Sequence, residues 1–215
     1  MKLIKDNYEK GYHDHFLYRE TTNSQRNQAR LKLLLKQKQG GTLLEIGCGK
    51  AGFLQMAENS FQSEGMDISE HVIEAIRPHF GERVRKADLE TDSLPVNHYD
   101  VVAVFNILEH LRQPGKAINK IFNSLRPGGI MIGSVPNKFS LVGNLVTIIG
   151  NFFDRTHIST YPPQTWRLLF TQAGFLKVDF FGEITIGPNH NTYLFHKLWP
   201  YLSFNLMFIC RTSEN

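Results

Sequence analysis

The sequence lacks most of what would place a chain outside a reducing compartment. Its 215 residues include two cysteines, Cys48 and Cys210. That excludes a disulfide scaffold. The opening MKLIKDNYEKGY has no apolar core of the signal-peptide kind, so a cytoplasmic chain is expected. No apolar run is long enough for a bilayer; the longest, Phe139–Phe153, is broken by Gly and Asn. Internal repeats and low-complexity tracts are missing too. Charge of one sign is scarce: 24 Lys and Arg stand against 20 Asp and Glu, a net +4. The only basic cluster, at Lys32, Lys36 and Lys38, is loose. This permits contact with nucleic acid or an anionic membrane without demanding either. What is abundant is phenylalanine, with 16 residues beside 7 Tyr and 2 Trp. With 41% hydrophobic and 20% charged residues, the chain is globular rather than disordered. Its length fits one domain, for which ~100–200 residues is usual, and suffices for a core without staples.

From Gln25 the pattern alternates. Gln25–Gln37 predicts a helix stopped by Gly40-Gly41, and Thr42–Ile46 a short strand running into a Gly-rich turn. Further strands are expected at Ser63–Ile68, Arg83–Ala87, Tyr99–Asn106 and Ile130–Val135. Helices are expected at Ala51–Asn59, Glu70–Phe80 and Pro114–Leu125. Helices between strands predict a Rossmann-like, doubly wound, mostly parallel α/β sheet. A helix at Gln164–Ala173 and strands at Phe175–Ile186 and Ser203–Thr212 close it, giving seven strands with the last antiparallel. One domain over 1–215 is expected, with an N-terminal arm over 1–24. Two apolar, aromatic insertions interrupt it at 137–162 and 187–202.

The run Gly47-Cys48-Gly49-Lys50-Ala51-Gly52 matches G-x-G-x-x-G after a strand and before a helix. Asp67 lies twenty residues beyond Gly47, at the end of the second strand. Alone, these features suit a dinucleotide. Glu45, two positions before the first glycine, argues otherwise. A carboxylate there repels a pyrophosphate and attracts a cofactor with an amino group and a sulfonium, which is S-adenosylmethionine. Unit charges 4 Å apart interact by ~4 kcal/mol under surface-like screening, and the sign decides between the ligands.

LLEIGCGKAGFL resembles the first motif of the class I S-adenosylmethionine-dependent methyltransferases. MDIS resembles the second, KADLE with LPVNHYDVVAVFNILEHL the third and fourth, and LRPGGIMIGSVPN the following helix end and strand. The resemblance covers roughly residues 25–212 in correct order. Ala51 departs from it, standing where the common pattern has a third glycine; small size is taken as the requirement there. The resemblance implies roles for named residues. Glu45 would hold the methionine amino group, and Gly47, Cys48 and Gly49 would let the backbone approach the cofactor. Asp67 would bind the ribose hydroxyls. Ile68 and Leu89 would face the adenine, with Asp88 accepting from its amino group. The Asn106 carbonyl would meet the methionine moiety, and Arg26 or Arg30 its carboxylate. S-adenosylhomocysteine would be the product. Cys48 reads as a small turn residue, since nothing nearby supplies a base for a thiol nucleophile.

The acceptor is less legible. After the fourth strand stands Asn106-Ile-Leu-Glu109-His110, not the Asn/Asp-Pro-Pro-aromatic motif of amino-methylating nucleic-acid enzymes. Neither cysteine follows a proline, as cytosine-5 enzymes require. Nucleic acid is therefore disfavoured. Phe153–Phe175 is similar to a segment of small-molecule and glycan methyltransferases. There Asp154 and His157 would lie near the sulfonium, with His157 as base or orienting group and Asp154 fixing its ring. A merely structural role for His157 competes, and His110, at a helix start, reads as structural. His13-Asp14-His15 has no third ligand placed by spacing, so no metal is expected.

Both insertions leave the carboxyl ends of parallel strands, where ligands bind in such sheets. They are expected either to cap a partly apolar acceptor, to pack on each other or a second copy, or to touch a membrane. Tyr8, Tyr12, Phe16 and Tyr18 suit a lid over the cofactor or a packed arm. The expected enzyme methylates a hydroxyl of a small-molecule, sugar or lipid-linked acceptor, as a monomer or homodimer. A protein or RNA acceptor, a non-catalytic cofactor-binding subunit and a nicotinamide oxidoreductase are the alternatives.

Overall fold

The computed structural model describes residues 25–137, 140, 156–186, 192–196, 203 and 205–214. The N-terminal arm, Asp154 and most of both insertions lie outside them. The chain divides into two compact units, Met1–Asp92 and Ser93–Asn215.

The first unit carries α1 (Gln25–Leu35), β1 (Thr42–Ile46), α2 (Gly52–Ala57), β2 (Gln62–Asp67), α3 (Glu70–Phe80) and β3 (Val84–Lys86). Its strands run parallel in the order β3-β2-β1. Leu43, Leu44 and Ile46 of β1 and Leu54 and Ala57 of α2 are all buried. The helix α3 keeps the bounds its sequence predicts because both ends are marked locally. The Val72 N–H donates to the Ser69 hydroxyl at its start, Glu70 complements the first-turn dipole, and Gly81 stops it at φ +60°.

In the second unit are β4 (Tyr99–Phe105), α4 (Pro114–Ser124), β5 (Leu125–Pro136), α5 (Pro163–Gln172), β6 (Lys177–Ile186), β7 (Thr192–His196) and β8 (Asn205–Arg211). The strand order is β4-β5-β8-β6-β7. β4 and β5 are parallel, while β8 runs antiparallel to both β5 and β6. Val101, Val102, Ala103 and Val104 are all fully buried. Neighbours in a strand point to opposite faces, so β4 is covered on both.

The fold is the Rossmann-like, doubly wound α/β fold expected, and the described residues form eight strands where seven were expected. The additional strand is β7, which pairs antiparallel with β6 from Gly182↔His196 to Ile186↔Thr192. It lies inside the segment read as the second apolar insertion. Its residues Thr192, Tyr193 and Phe195 are good strand formers, and their apolarity alone did not separate a strand from a cap. At the start of β5, Pro127-Gly128-Gly129 is taken into the strand, where its register with β4 shifts.

Much of the phenylalanine belongs to the second core. Phe170 of α5 packs against Phe208 of β8 at 4.7 Å between centroids, with Trp166, Phe175 and Phe180 around it at 6.1–6.5 Å. Such pairs contribute roughly 0.5–1.5 kcal/mol each beyond area burial. Gly174 ends α5 at φ +111°, and a Cβ there would stand 2.6 Å from Phe122 Cζ. Among the described residues, no helix is long and apolar enough to cross a membrane.

Candidate active site

The turn after β1 is built by three residues with left-handed backbone: Gly47 at φ +72°, Gly49 at +50° and Ala51 at +59°. The Gly47 and Cys48 N–H groups donate to the Met66 carbonyl of β2, at 2.7 and 3.1 Å. Asp67 then locks the turn. Its Oδ2 accepts the Gly49 N–H and its Oδ1 the Ser69 N–H, both at 3.0 Å. One buried carboxylate thus holds the turn before α2 and the cap of α3. The departure at Ala51 has a different meaning from the one expected. The position needs a positive φ as well as a small side chain, which costs an L-residue roughly 1–2 kcal/mol.

The remaining predicted residues of the first unit stand at the carboxyl ends of the same parallel strands. Glu45, near the end of β1, is buried and pairs in register with Gly65. A Cβ on Gly65 would lie 2.8 Å from Leu54 Cδ2 and 3.1 Å from Cys48 Sγ, so the turn packs directly on bare backbone. Burial pushes the Cys48 thiol well above its usual range, and the charges of Glu45 and Asp67 push it further. It stays a protonated core thiol at neutral pH. Ile68, half-buried, follows β2. Asp88 and Leu89 follow β3; Asp88 Oδ1 accepts the Glu90 N–H at 2.9 Å and its own N–H reaches Asp92 Oδ2 at 2.8 Å, while Leu89 is buried. A Cβ on Gly49 would meet nothing within 4 Å. Two carboxylates near the turn, Glu45 and Asp67, whose charges both reach Cys48, favour a cationic nucleoside over a pyrophosphate. Arg30 is buried in α1 and donates to Asn27 Oδ1 at 3.1 Å, and Arg26 is half-buried.

In the second unit Asn106 directly follows β4 with φ +54°, a conformation asparagine tolerates. Its N–H donates to the Ser134 carbonyl, and the Ser134 hydroxyl donates to its Oδ1, both at 2.8 Å. A 3-10 turn, Leu108–His110, comes next. His110 Nδ1 lies 3.2 Å from the Thr156 carbonyl oxygen. The His110 and His157 rings meet edge to face at 4.8 Å. His110 Nε2 stands 3.9 Å from Oε1 of the fully buried Glu109. The segment carrying His157 is pinned here by Ser159, whose N–H donates to the Glu109 carbonyl and whose hydroxyl donates to the Leu111 carbonyl, at 2.8 and 2.6 Å. His157 is thus placed beside Glu109 and His110, neither of which the sequence reading put in the site. The signal was the Glu109-His110 pair just after β4, but nothing in the spacing joins it to His157. Asp154, the expected partner of His157, lies outside the described residues, as does His13-Asp14-His15.

A family model described as a methyltransferase domain matches residues 17–179. The chain belongs to that family. Within it, this is a class I S-adenosylmethionine-dependent methyltransferase domain, and the family's cofactor is S-adenosylmethionine, with S-adenosylhomocysteine as product. A probable S-adenosylmethionine-dependent methyltransferase of Mycolicibacterium smegmatis is 30% identical over 118 residues, 54% of this chain and 46% of that one. A ubiquinone biosynthesis O-methyltransferase of Idiomarina loihiensis is 33% identical over 108 residues, 46% of this chain and 44% of that one. The chain spans about half the length of these curated relatives. Among solved structures, the magnesium protoporphyrin IX methyltransferase of Synechocystis with bound S-adenosylhomocysteine shares the fold at a TM-score of 0.69 and 16% identity, covering 99% of each chain.

Proposed function

We propose that this methyltransferase moves the methyl group of S-adenosylmethionine to a hydroxyl oxygen of a small-molecule, sugar or lipid-linked acceptor. The observation that carries the reading is the Asp67-locked turn with Glu45 beside it, at the carboxyl ends of β1 and β2. Glu45 would take the methionine ammonium, and the backbone at Gly47, Cys48 and Gly49 would pass close to the cofactor. The free lone pairs of Asp67 would take the ribose hydroxyls. Ile68 and Leu89 would flank the adenine, Asp88 would accept from its amino group, and the Asn106 carbonyl would face the methionine portion.

When bound, the cofactor supplies an electrophilic methyl on a good leaving group. The chain's part is then to align the acceptor oxygen and remove its proton. His157, half-buried and edge-on to His110, suits that task, with Asp154 orienting it. As the new O–C bond forms and the C–S bond breaks, the hydroxyl proton passes to the imidazole. Relatives named for ubiquinone O-methylation support an oxygen acceptor. The apolar insertions at 137–162 and 187–202 and the arm over 1–24 would cover a partly apolar acceptor. In that case a monomer or homodimer in the cytoplasm, or at a membrane surface, would serve.

The deciding experiment is calorimetric titration of ligand-stripped protein with S-adenosylmethionine, S-adenosylhomocysteine and NAD. Micromolar binding of both S-adenosyl compounds is expected, weakened at least about 100-fold in Asp67→Ala, which removes a charged acceptor and strands two backbone N–H groups. Binding of NAD alone would overturn the reading of Glu45. Tight cofactor binding without turnover on any hydroxyl acceptor would turn the reading towards a cofactor-binding subunit.

A further inference from the structure

The outer strands of the two units are finished differently. β3 ends the strand order of the first unit and β7 that of the second. Each is paired on one side, β3 with β2 and β7 with β6. An outer strand presents a row of backbone N–H and C=O groups that can pair with another chain, and short length and charge are the usual guards. β3 has both. It is three residues long, and two of them are charged: Arg85 pairs with Glu64 at 3.3 Å and Lys86 with Glu70 at 3.4 Å. β7 has neither guard. Its five residues, Thr192-Tyr193-Leu194-Phe195-His196, include no acid, lysine, arginine, proline or glycine. Among the described residues no strand pairs with its outer side. It is also the strand added beyond the seven expected.

We propose that a second copy of the chain completes this edge, β7 on β7, antiparallel about a twofold axis. Symmetry then fixes the register. Hydrogen-bonded and non-hydrogen-bonded pairs alternate along an antiparallel ladder. An axis between two residues would make adjacent pairs identical, so the axis falls on a residue that faces its own copy. Overlap of all five residues puts it at Leu194. Tyr193 then stands opposite Phe195 of the partner subunit, and Thr192 opposite His196 of the partner subunit. Aromatic residues pair well across strands, and no like charges meet. This self-complementarity favours a second copy over an unrelated strand, and twofold dimers are the commonest assemblies. A five-residue ladder is small beside the ~1,200–2,000 Å² of stable interfaces. A reversible dimer with a Kd of roughly 1–100 μM is therefore expected. The pairing goes beyond methyl transfer and does not depend on it.

The test is sedimentation equilibrium of the full chain over a wide concentration range, with circular dichroism to check that each variant is folded. Leu194→Lys sets two ammonium groups face to face and should weaken the dimer at least about 10-fold. The same change at exposed Leu168 of α5 should leave it as it is. Cysteines read the register. Facing residues about 4.5–5.5 Å apart between Cα atoms are within disulfide reach, whereas a residue two positions along lies about 8 Å away and is not. Under mild oxidation Leu194→Cys should cross-link with itself. Tyr193→Cys should not, but should cross-link when mixed with Phe195→Cys. The native cysteines are buried and do not compete. If Leu194→Lys unfolds the chain, the cysteine variants still decide. A monomer at every concentration up to about 1 mM, a dimer that folded Leu194→Lys leaves as tight, or Tyr193→Cys cross-linking as readily as Leu194→Cys overturns the proposal. So does a monomer whose β7 amides all resist hydrogen exchange, which would assign the edge to another segment of the same chain.

Discussion

The bond that fixes the turn after β1, from Gly49 N–H to Asp67, joins residues 18 apart in sequence. The bonds that fix the histidine side, His110 to Thr156 and Ser159 to Leu111, join residues 46 and 48 apart. Closing the longer loops costs roughly 0.8 kcal/mol more in chain entropy. The larger difference is in how each is specified. The first is written into one strand–turn–helix–strand segment, where every constraint is a neighbour. The second exists only after two distant segments have been brought together, so no local pattern announces it. The first gathers backbone N–H groups around one buried carboxylate; the second gathers two imidazoles and a buried carboxylate.

If the two regions have separate duties, His157→Ala should separate them most widely. Turnover is expected to fall about 100-fold or more, in the range usual for a lost proton-transfer group, while the S-adenosylmethionine Kd stays within about twofold. Steady-state kinetics beside calorimetry would read this, and a parallel loss of cofactor binding would erase the distinction. Gly65→Ala probes the packing of the turn. Its methyl would press on Leu54 and Cys48, and urea unfolding should show about 1–3 kcal/mol of destabilisation. Ala51→Gly should run the other way, gaining up to about 1 kcal/mol as left-handed strain is relieved; a loss would mean that the Ala51 methyl packs better than its φ suggests. The smallest effect belongs to a surface cluster that serves neither region. Burial works to raise the Glu58 pKa, but hydrogen bonds from His79 and Arg83, with their charges, outweigh it and hold it below the usual carboxylate range. A carboxylate depressed in the folded state stabilises above its unfolded pKa and loses that contribution as pH falls through the folded value. Glu58→Gln should therefore cost about 0.5 kcal/mol near neutrality, and the difference should vanish at low pH in a denaturant series.

Legibility in the sequence follows the same division. The bounds of α3 are readable because Ser69 and Gly81 sit at its ends. The turn, Glu45 and Asp67 are readable because strand, glycines and acid follow one another in order. The strand β7 was hidden because an aromatic run of five residues suits a cap and a strand equally. Glu109 and His110 were hidden because burial and the approach of residue 157 are tertiary facts. Ala51 was noticed, but its backbone angle could not be read from its size.

The two cysteines fall one to each unit, Cys48 in the turn and Cys210 one residue before the end of β8, and both are buried with thiols pushed well above their usual pKa, chiefly by burial. A thiol in that state is silent to alkylating reagents until its surroundings come apart. The molecule therefore carries a pair of built-in clocks. Labelling at Cys48 counts the openings of the first unit and labelling at Cys210 those of the second. A ligand that grips only the turn would slow one clock and leave the other running.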